Sequence, residues 1–207
     1  MNLALLGGTG RTGRHLIDLA LEHGHTVRVL TRGRHPLHHT HGRLTPIIGD
    51  ARDAHAIAHL VTGCDAVLSA LGPAAAAPDD TMTLAAQHLQ QALPHAGIRR
   101  LIPLTGAGVT HPGDTPTPVD RLIRTLLALT QPRALQDATT HTELIRQSTL
   151  DWTVVRVPRL TDGPARPVQA GRVGTIKPFV TRASVAQFML DQLTEGTFIR
   201  QAPAISN

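Results

Sequence analysis

The sequence predicts an α/β fold, a Rossmann-type doubly wound parallel sheet, with residues 1–207 forming a single domain. Three observations predict it. Strand-like and helix-like segments alternate along the chain, which is the rhythm of βαβ units. Several strand-like segments are near-continuous apolar runs, such as Ala66-Val67-Leu68 and Trp152-Thr153-Val154-Val155, as a sheet covered on both faces requires. The first strand also runs directly into Gly7-Gly8-Thr9-Gly10-Arg11-Thr12-Gly13, after which a helical pattern begins.

The elements follow in order. Leu3-Ala4-Leu5-Leu6 places a strand at about 2–6, and Leu16, Ile17, Leu19, Ala20 and Leu21 place a helix at about 11–23, ended by Gly24. Further strands fall at about 26–31, 44–48, 65–71, 99–104 and 152–157. Helices fall at about 53–61, 79–96, 119–130, 138–148 and 183–194, with Gly63 and Gly97 as stop signals for the first two. Two stretches rich in Pro and Gly interrupt the rhythm, one from Val109 to Pro118 and one from Pro158 to Gly174. Both follow strand C-termini, where ligands bind in open α/β sheets, so loops near 106–118 and 158–174 are expected to wall a substrate pocket.

The glycine segment is the physical recipe for a pyrophosphate site. Glycines allow the tight turn and remove the Cβ atoms that would hold the backbone away from phosphates, and the helix N-terminus offers free N–H groups to the anion. Its spacing is Gly-x-x-Gly-x-x-Gly. The second strand ends at Thr31-Arg32, with Arg34 just beyond and no acid at the position that would bond a ribose 2′-hydroxyl. An arginine there accommodates a 2′-phosphate, and Arg11 adds a further cation, so the cofactor is expected to be NADP(H). At the end of the third strand Asp50 either accepts from an adenine amino group or caps the helix that begins near Asp53.

Composition narrows the alternatives. A formal charge of +5 suggests nucleic acid, yet the basic residues are scattered arginines with Lys177 as the lone lysine, and the absence of Tyr with one Trp and three Phe leaves no stacking platform. No apolar run approaches the ~20 residues that span a bilayer, and the N-terminal apolar run lacks a basic flank, so a cytoplasmic protein without membrane contact is expected. The single Cys64 suits a small residue opening a buried strand. The run His35, His38, His39 and His41 has the density of a zinc site but no Cys or acid within it, and no metal is expected.

Together, "GGTGRTG", "VRVLTR", "IIGDARD", "DAVLSALG", "ELIRQSTLDWTVVRVPRL" and "VTRASVAQFMLDQLTEG" resemble, nearly end to end, the atypical short-chain dehydrogenase/reductases. Within them the chain is similar to the small NAD(P)H-binding reductases typified by flavin reductase, or biliverdin reductase B. The resemblance implies a monomeric reductase passing hydride from NADPH to a flat conjugated acceptor such as a flavin, quinone or linear tetrapyrrole. It implies cofactor binding by Gly7, Thr9, Gly10, Arg11, Thr12, Gly13, Arg32, Asp50, Ala51, Leu71 and Gly72, and a nicotinamide site lined by Thr105, Gly106, Pro158 and Arg159.

The chain departs from the wider group in one decisive respect. Without any tyrosine it has no Tyr-x-x-x-Lys pair, which disfavours ketone–alcohol interconversion. It also has Gly106 where the flavin-reductase group usually has serine, Arg159 where that group has histidine, and Ala138 in place of a second histidine, with His141 nearly one turn on. Thr105, Arg159 and His141 are the candidate catalytic residues. Arg159 would polarise or anchor the acceptor, and His141, His111 or solvent would supply the proton. Two other readings stand beside the reductase: a non-catalytic NADP(H) sensor of the NmrA type, and an epimerase or dehydratase of specialised metabolites.

Overall fold

The structure, a computed structural model, describes residues 1–33, 37, 41–73 and 78–207; Arg34, His35, His38 and His39 lie outside them. The sheet begins with β1 (Asn2–Leu6), β2 (Thr26–Thr31) and β3 (Leu44–Ile48), and continues with β4 (Ala66–Ser69) and β5 (Arg100–Gly106). The predicted sixth strand divides into β6 (Asp151–Trp152) and β7 (Val155–Val157). Three further short strands, β8 (Arg159–Thr161), β9 (Gln169–Gly171) and β10 (Phe179–Thr181), precede the last, β11 (Ala204–Ser206). The helices are α1 (Arg11–Glu22), α2 (Ala54–Val61), α3 (Thr81–His95), α4 (Pro118–Thr130), α5 (Pro132–Gln147) and α6 (Arg182–Glu195). The main sheet runs β3-β2-β1-β4-β5-β7-β11-β9, parallel except for β9. The order reverses direction between β1 and β4, which opens the crevice where such sheets bind ligands.

Continuous apolar strands arise because each face has its own helices. Along β1, Leu3 and Leu5 join the core beneath α1 and α6, while Ala4 and Leu6 join the core beneath α2, α3 and α5. β4 alternates in the same way, with Val67 on one side and Ala66 and Leu68 on the other. Pro46, which lacks an N–H for the ladder, sits in the edge strand β3. Gly24, Gly63 and Gly97 all hold positive φ just after their helices, as stop signals should.

Four features differ from the sequence expectation. First, α5 begins at Pro132 rather than near 138, since proline suits the first helical position, where its missing N–H has no intrahelical acceptor. Second, the 152–157 strand divides at Thr153, whose N–H still donates to the Leu101 carbonyl of β5 and which pairs with Gln201 on its other side, while Pro103 of β5 has no N–H to continue the ladder. Third, the 158–174 stretch contains β8 and β9, the first paired in parallel with β10. Fourth, α4 starts at Pro118 rather than near 119, opening on a capping box between Thr117 and Asp120; it buries no residue, leaving an apolar stripe that includes Leu122, 69% exposed, and Leu129, 76% exposed.

The N-terminus of α3 is capped across space. Asp80, its N-cap by position, makes no cap bond; the buried Asp137 of α5 accepts instead from the N–H groups of Met82 at 3.0 Å and Thr83 at 2.8 Å. Removing that carboxylate orphans two N–H groups at a helix junction. Asp137→Ala is therefore expected to cost about 2–3 kcal/mol in urea unfolding. Asp80→Ala, which removes only an exposed pair with Arg52, should cost under about 1 kcal/mol. Among the described residues, no helix is long and apolar enough to cross a membrane.

Candidate active site

The glycine segment folds as a cradle. Gly7 takes φ +75°, and a Cβ added there would lie 2.6 Å from the backbone carbon and oxygen of Ala70, just past β4. A Cβ on Gly13 would lie 2.1 Å from the Gly7 carbonyl oxygen. Helix, loop and neighbouring strand thus meet backbone to backbone, which only glycine allows. The N-cap of α1 is Gly10, no side chain caps the helix, and its first turn holds no acid. Its N-terminal N–H groups and positive dipole end therefore face the crevice without an internal anion.

A cavity of about 470 Å³ lies over this cradle at the ends of β1 to β4. Among the expected cofactor residues Gly7, Thr9, Gly10, Arg11, Thr12, Arg32, Asp50, Ala51, Leu71 and Gly72 line it. Gly13 sits behind the lining, where its role is close packing. Asp50 accepts from the Arg52 N–H at 2.9 Å, whereas Asp53 caps α2 by accepting from the His55 N–H at 2.9 Å. Asp50 is therefore not the helix cap, and it faces the cavity. Arg32 is exposed at the end of β2. An anionic dinucleotide fits this setting: a cradle that a Cβ would fill, an uncapped helix end, and Arg11 and Arg32 as flanking cations.

The cavity also takes residues that sequence reasoning missed. Thr31, Gly49, Ala70 and Pro73 adjoin the motifs and could have been read from them. Leu160 of β8 and Arg182, the first residue of α6 just after β10, arrive through the β8–β10 pairing, for which the sequence holds no local signal. Arg182 is 6% exposed and donates to Asp162 at 2.6 Å, while Arg11 stands 3.9 Å from the same carboxylate. Asp162 thereby ties the strand after the sixth-strand region to the glycine loop.

The other expected residues do not line this cavity. Thr105 is buried at the end of β5, and its hydroxyl has no hydrogen-bond partner. Gly106 follows it, exposed. Pro158 leads into β8, where Arg159 is exposed and its N–H donates to the Pro178 carbonyl at 3.1 Å. His141, another candidate, stands in the core and does not line this cavity. The side chain is 1% exposed, its Nδ1 is 3.0 Å from the Met82 carbonyl between α5 and α3, and burial pushes its pKa down. His111 lines a separate cavity, and His41 accepts from the Arg43 N–H. Cys64 is buried against the Leu60 carbonyl, and burial pushes its thiol pKa up.

A buried ion pair organises the loops around the strand ends. Arg156 of β7 and Asp114, with side chains 1% and 7% exposed, form a two-point bridge at 2.6 and 2.8 Å. Arg156 also donates to the carbonyl of Ala202 at 2.8 Å, and Asp114 accepts from the N–H groups of His111 and Val173. One carboxylate thus holds both Pro/Gly-rich loops and, through Arg156, the C-terminal segment. Burial opposes ionisation of Asp114, but the Arg156 guanidinium and the two backbone N–H groups together hold its carboxyl below the usual range.

Comparison with known proteins places this geometry in context. The sequence pattern of the family described as NAD(P)H-binding matches residues 7–196. No curated protein matches the chain in sequence. Among solved structures, a short-chain dehydrogenase/reductase from Veillonella parvula in complex with NADP superposes with a TM-score of 0.80 at 19% identity, covering 100% of this chain and 94% of that one. The anaerobillin reductase ChuY from Escherichia coli O157:H7 superposes with a TM-score of 0.79 at 21% identity, covering 100% and 97%. The oxidoreductase ylbE from Lactococcus lactis does so with a TM-score of 0.81 at 16% identity, covering 100% and 91%.

Proposed function

The chain belongs to the NAD(P)H-binding family, and from that premise we propose that it is an NADPH-dependent reductase that passes hydride to a flat conjugated acceptor such as a flavin or quinone. The observation that carries the reading is the glycine cradle with Arg32, and no acid, at the end of β2. Two similar folds bear on it, one of which binds NADP and one of which is a reductase.

When bound, the cofactor supplies the hydride. The chain's contribution is to bind and orient. The α1 N-terminus and Arg11 hold the pyrophosphate, Arg32 the 2′-phosphate, and Asp50 the adenine. Thr105, whose buried hydroxyl has no partner, the Gly106 backbone and Pro158 would line the nicotinamide end. Exposed Arg159 anchors an anionic or carbonyl group of the acceptor. With no tyrosine in the chain and both His141 and His111 turned elsewhere, the proton comes from solvent. The loops near 106–118 and 158–174, fixed by Asp114 and Arg156, shape the acceptor pocket.

Arg32→Ala tests the cofactor assignment. It is expected to raise KM for NADPH about tenfold to a hundredfold, the worth of one charge-assisted phosphate contact, while leaving KM for NADH near its wild-type value. Equal losses with both cofactors would remove Arg32 from 2′-phosphate recognition. One observation favours the second reading, a non-catalytic NADP(H) sensor: the exposed apolar stripe of α4 is a surface of the kind that partners cover. Equal affinity for oxidised and reduced cofactor, without turnover on flavins or quinones, would move the account to the sensor.

A further inference from the structure

A second cavity, of about 450 Å³, lies between α5, β6 and the His111 loop, and shares no lining residue with the first. Its walls are His111, Glu143, Arg146, Gln147, Trp152 and Arg200. From them we infer that the protein carries a second ligand site, for a small organic oxyanion bearing a phosphate or carboxylate group, held between Arg146 and Arg200 beside the Trp152 indole.

Three features carry the inference. The first is unmet hydrogen-bonding capacity. Trp152 is 5% exposed, and its indole N–H is buried without a partner, as is Nδ1 of His111. Buried polar atoms in native proteins are nearly always paired, and here two orphans belong to walls of one cavity. The second is charge. Arg146 forms no ion pair or hydrogen bond with any described residue, and Arg200 uses Nε and Nη2 on the carbonyls of Leu150 and Thr149. Among the lining side chains two guanidiniums stand against one carboxylate, that of Glu143 at the exposed rim, with Asp151 outside the lining near Arg200, so the lining itself is net positive. His111 adds none, because burial and then the nearby Arg156 and Arg146 push its pKa down against the pull of Asp114.

The third feature is backbone conformation. Arg200 holds φ +56°, the only positive φ outside glycine among the described residues. Its N–H donates to the Trp152 carbonyl at 2.7 Å, so this strained residue is fixed directly to the strand that carries the indole. A conformation that costs about 1 kcal/mol or more fits a side chain that must be aimed. The volume exceeds that of an inorganic ion many times over, given about 30 Å³ for one water, which is why the ligand is an organic anion. The inference rests on none of the cofactor residues and stands whether or not the reductase reading holds.

Trp152 is the only tryptophan and the chain has no tyrosine, so its emission reports on this cavity alone. The cofactor-free protein would be titrated with glycerol phosphate, succinate and inorganic phosphate, with ionic strength held constant by chloride. A saturable change in emission is expected with glycerol phosphate or succinate at millimolar concentration or below. Arg146→Gln and Arg200→Gln should each weaken it by about tenfold or more with unchanged NADPH affinity; Arg146→Gln should keep the wild-type melting temperature, while Arg200→Gln also gives up its bonds to the Leu150 and Thr149 carbonyls and should melt slightly lower. Response to succinate alone would identify a carboxylate ligand, and response to glycerol phosphate alone a phosphate ester. Saturable response to neither, response to inorganic phosphate alone, or wild-type responses in both variants would overturn the site.

Discussion

Gly13→Ala is expected to reduce NADPH affinity by at least about a hundredfold, close to 3 kcal/mol. The cause is steric and local. The new methyl would lie 2.1 Å from the Gly7 carbonyl oxygen, and neither the helix nor the loop can yield without opening the cradle. Far-UV circular dichroism should remain, because the core on both sheet faces is untouched, while the melting temperature falls by several degrees. Gly42→Ala is the matched control: among the described residues no atom lies within 4 Å of the added Cβ, Gly42 has no positive φ, and the variant should bind NADPH like the wild type. Fluorescence titration with NADPH separates the two. Wild-type affinity in Gly13→Ala would show that the glycine segment does not hold the pyrophosphate.

Asp114→Ala is expected to have the largest effect on stability, about 3–5 kcal/mol, because it leaves the Arg156 guanidinium buried and unpaired. The melting temperature should fall by roughly 10 °C for a chain of this size. The pH dependence has a definite sign. The carboxyl of Asp114 is held below its ordinary value in the folded state, so its contribution is complete above the unfolded pKa of about 3.9 and disappears as pH falls through the folded value. Urea unfolding at neutral pH should therefore separate wild type from variant widely, and the gap should narrow below about pH 4. The double replacement Asp114→Leu with Arg156→Met should recover much of the loss. A gap independent of pH would mean that the carboxylate acts by packing, not by charge.

The parts of this fold that were legible in the sequence are those where a local rule decides. β1 and β4 read as apolar runs because both faces bury side chains, and Gly24, Gly63 and Gly97 read as stops because the chain needs positive φ there. Most of the lining of the cavity over the glycine segment was legible for the same reason: Gly7, Thr9, Gly10, Arg11, Thr12, Arg32, Asp50 and Leu71 stand at or just past strand ends, where a doubly wound sheet opens its crevice.

What was not legible depends on contacts distant in sequence. Asp114 and Arg156 lie in separate loops and strands, and nothing near either residue announces the pair. Arg182 reaches the cavity only because β10 pairs with β8. His141 sits on the helix expected for a pocket histidine, but the packing of α5 on α3 turns its ring to the Met82 carbonyl. α4 carries apolar residues at helical spacing, yet none of them is buried among the described residues. β11 is too short for alternation to show, although Ala204 and Ile205 are completely buried.

The central claim is hydride transfer from NADPH to a conjugated acceptor, and steady-state loss of absorbance by NADPH with a flavin and with a small quinone tests it most directly. The expected result is turnover with at least one of them, faster with NADPH than with NADH and strongly reduced in Arg32→Ala. Tight NADPH binding with no oxidation by either acceptor would contradict it.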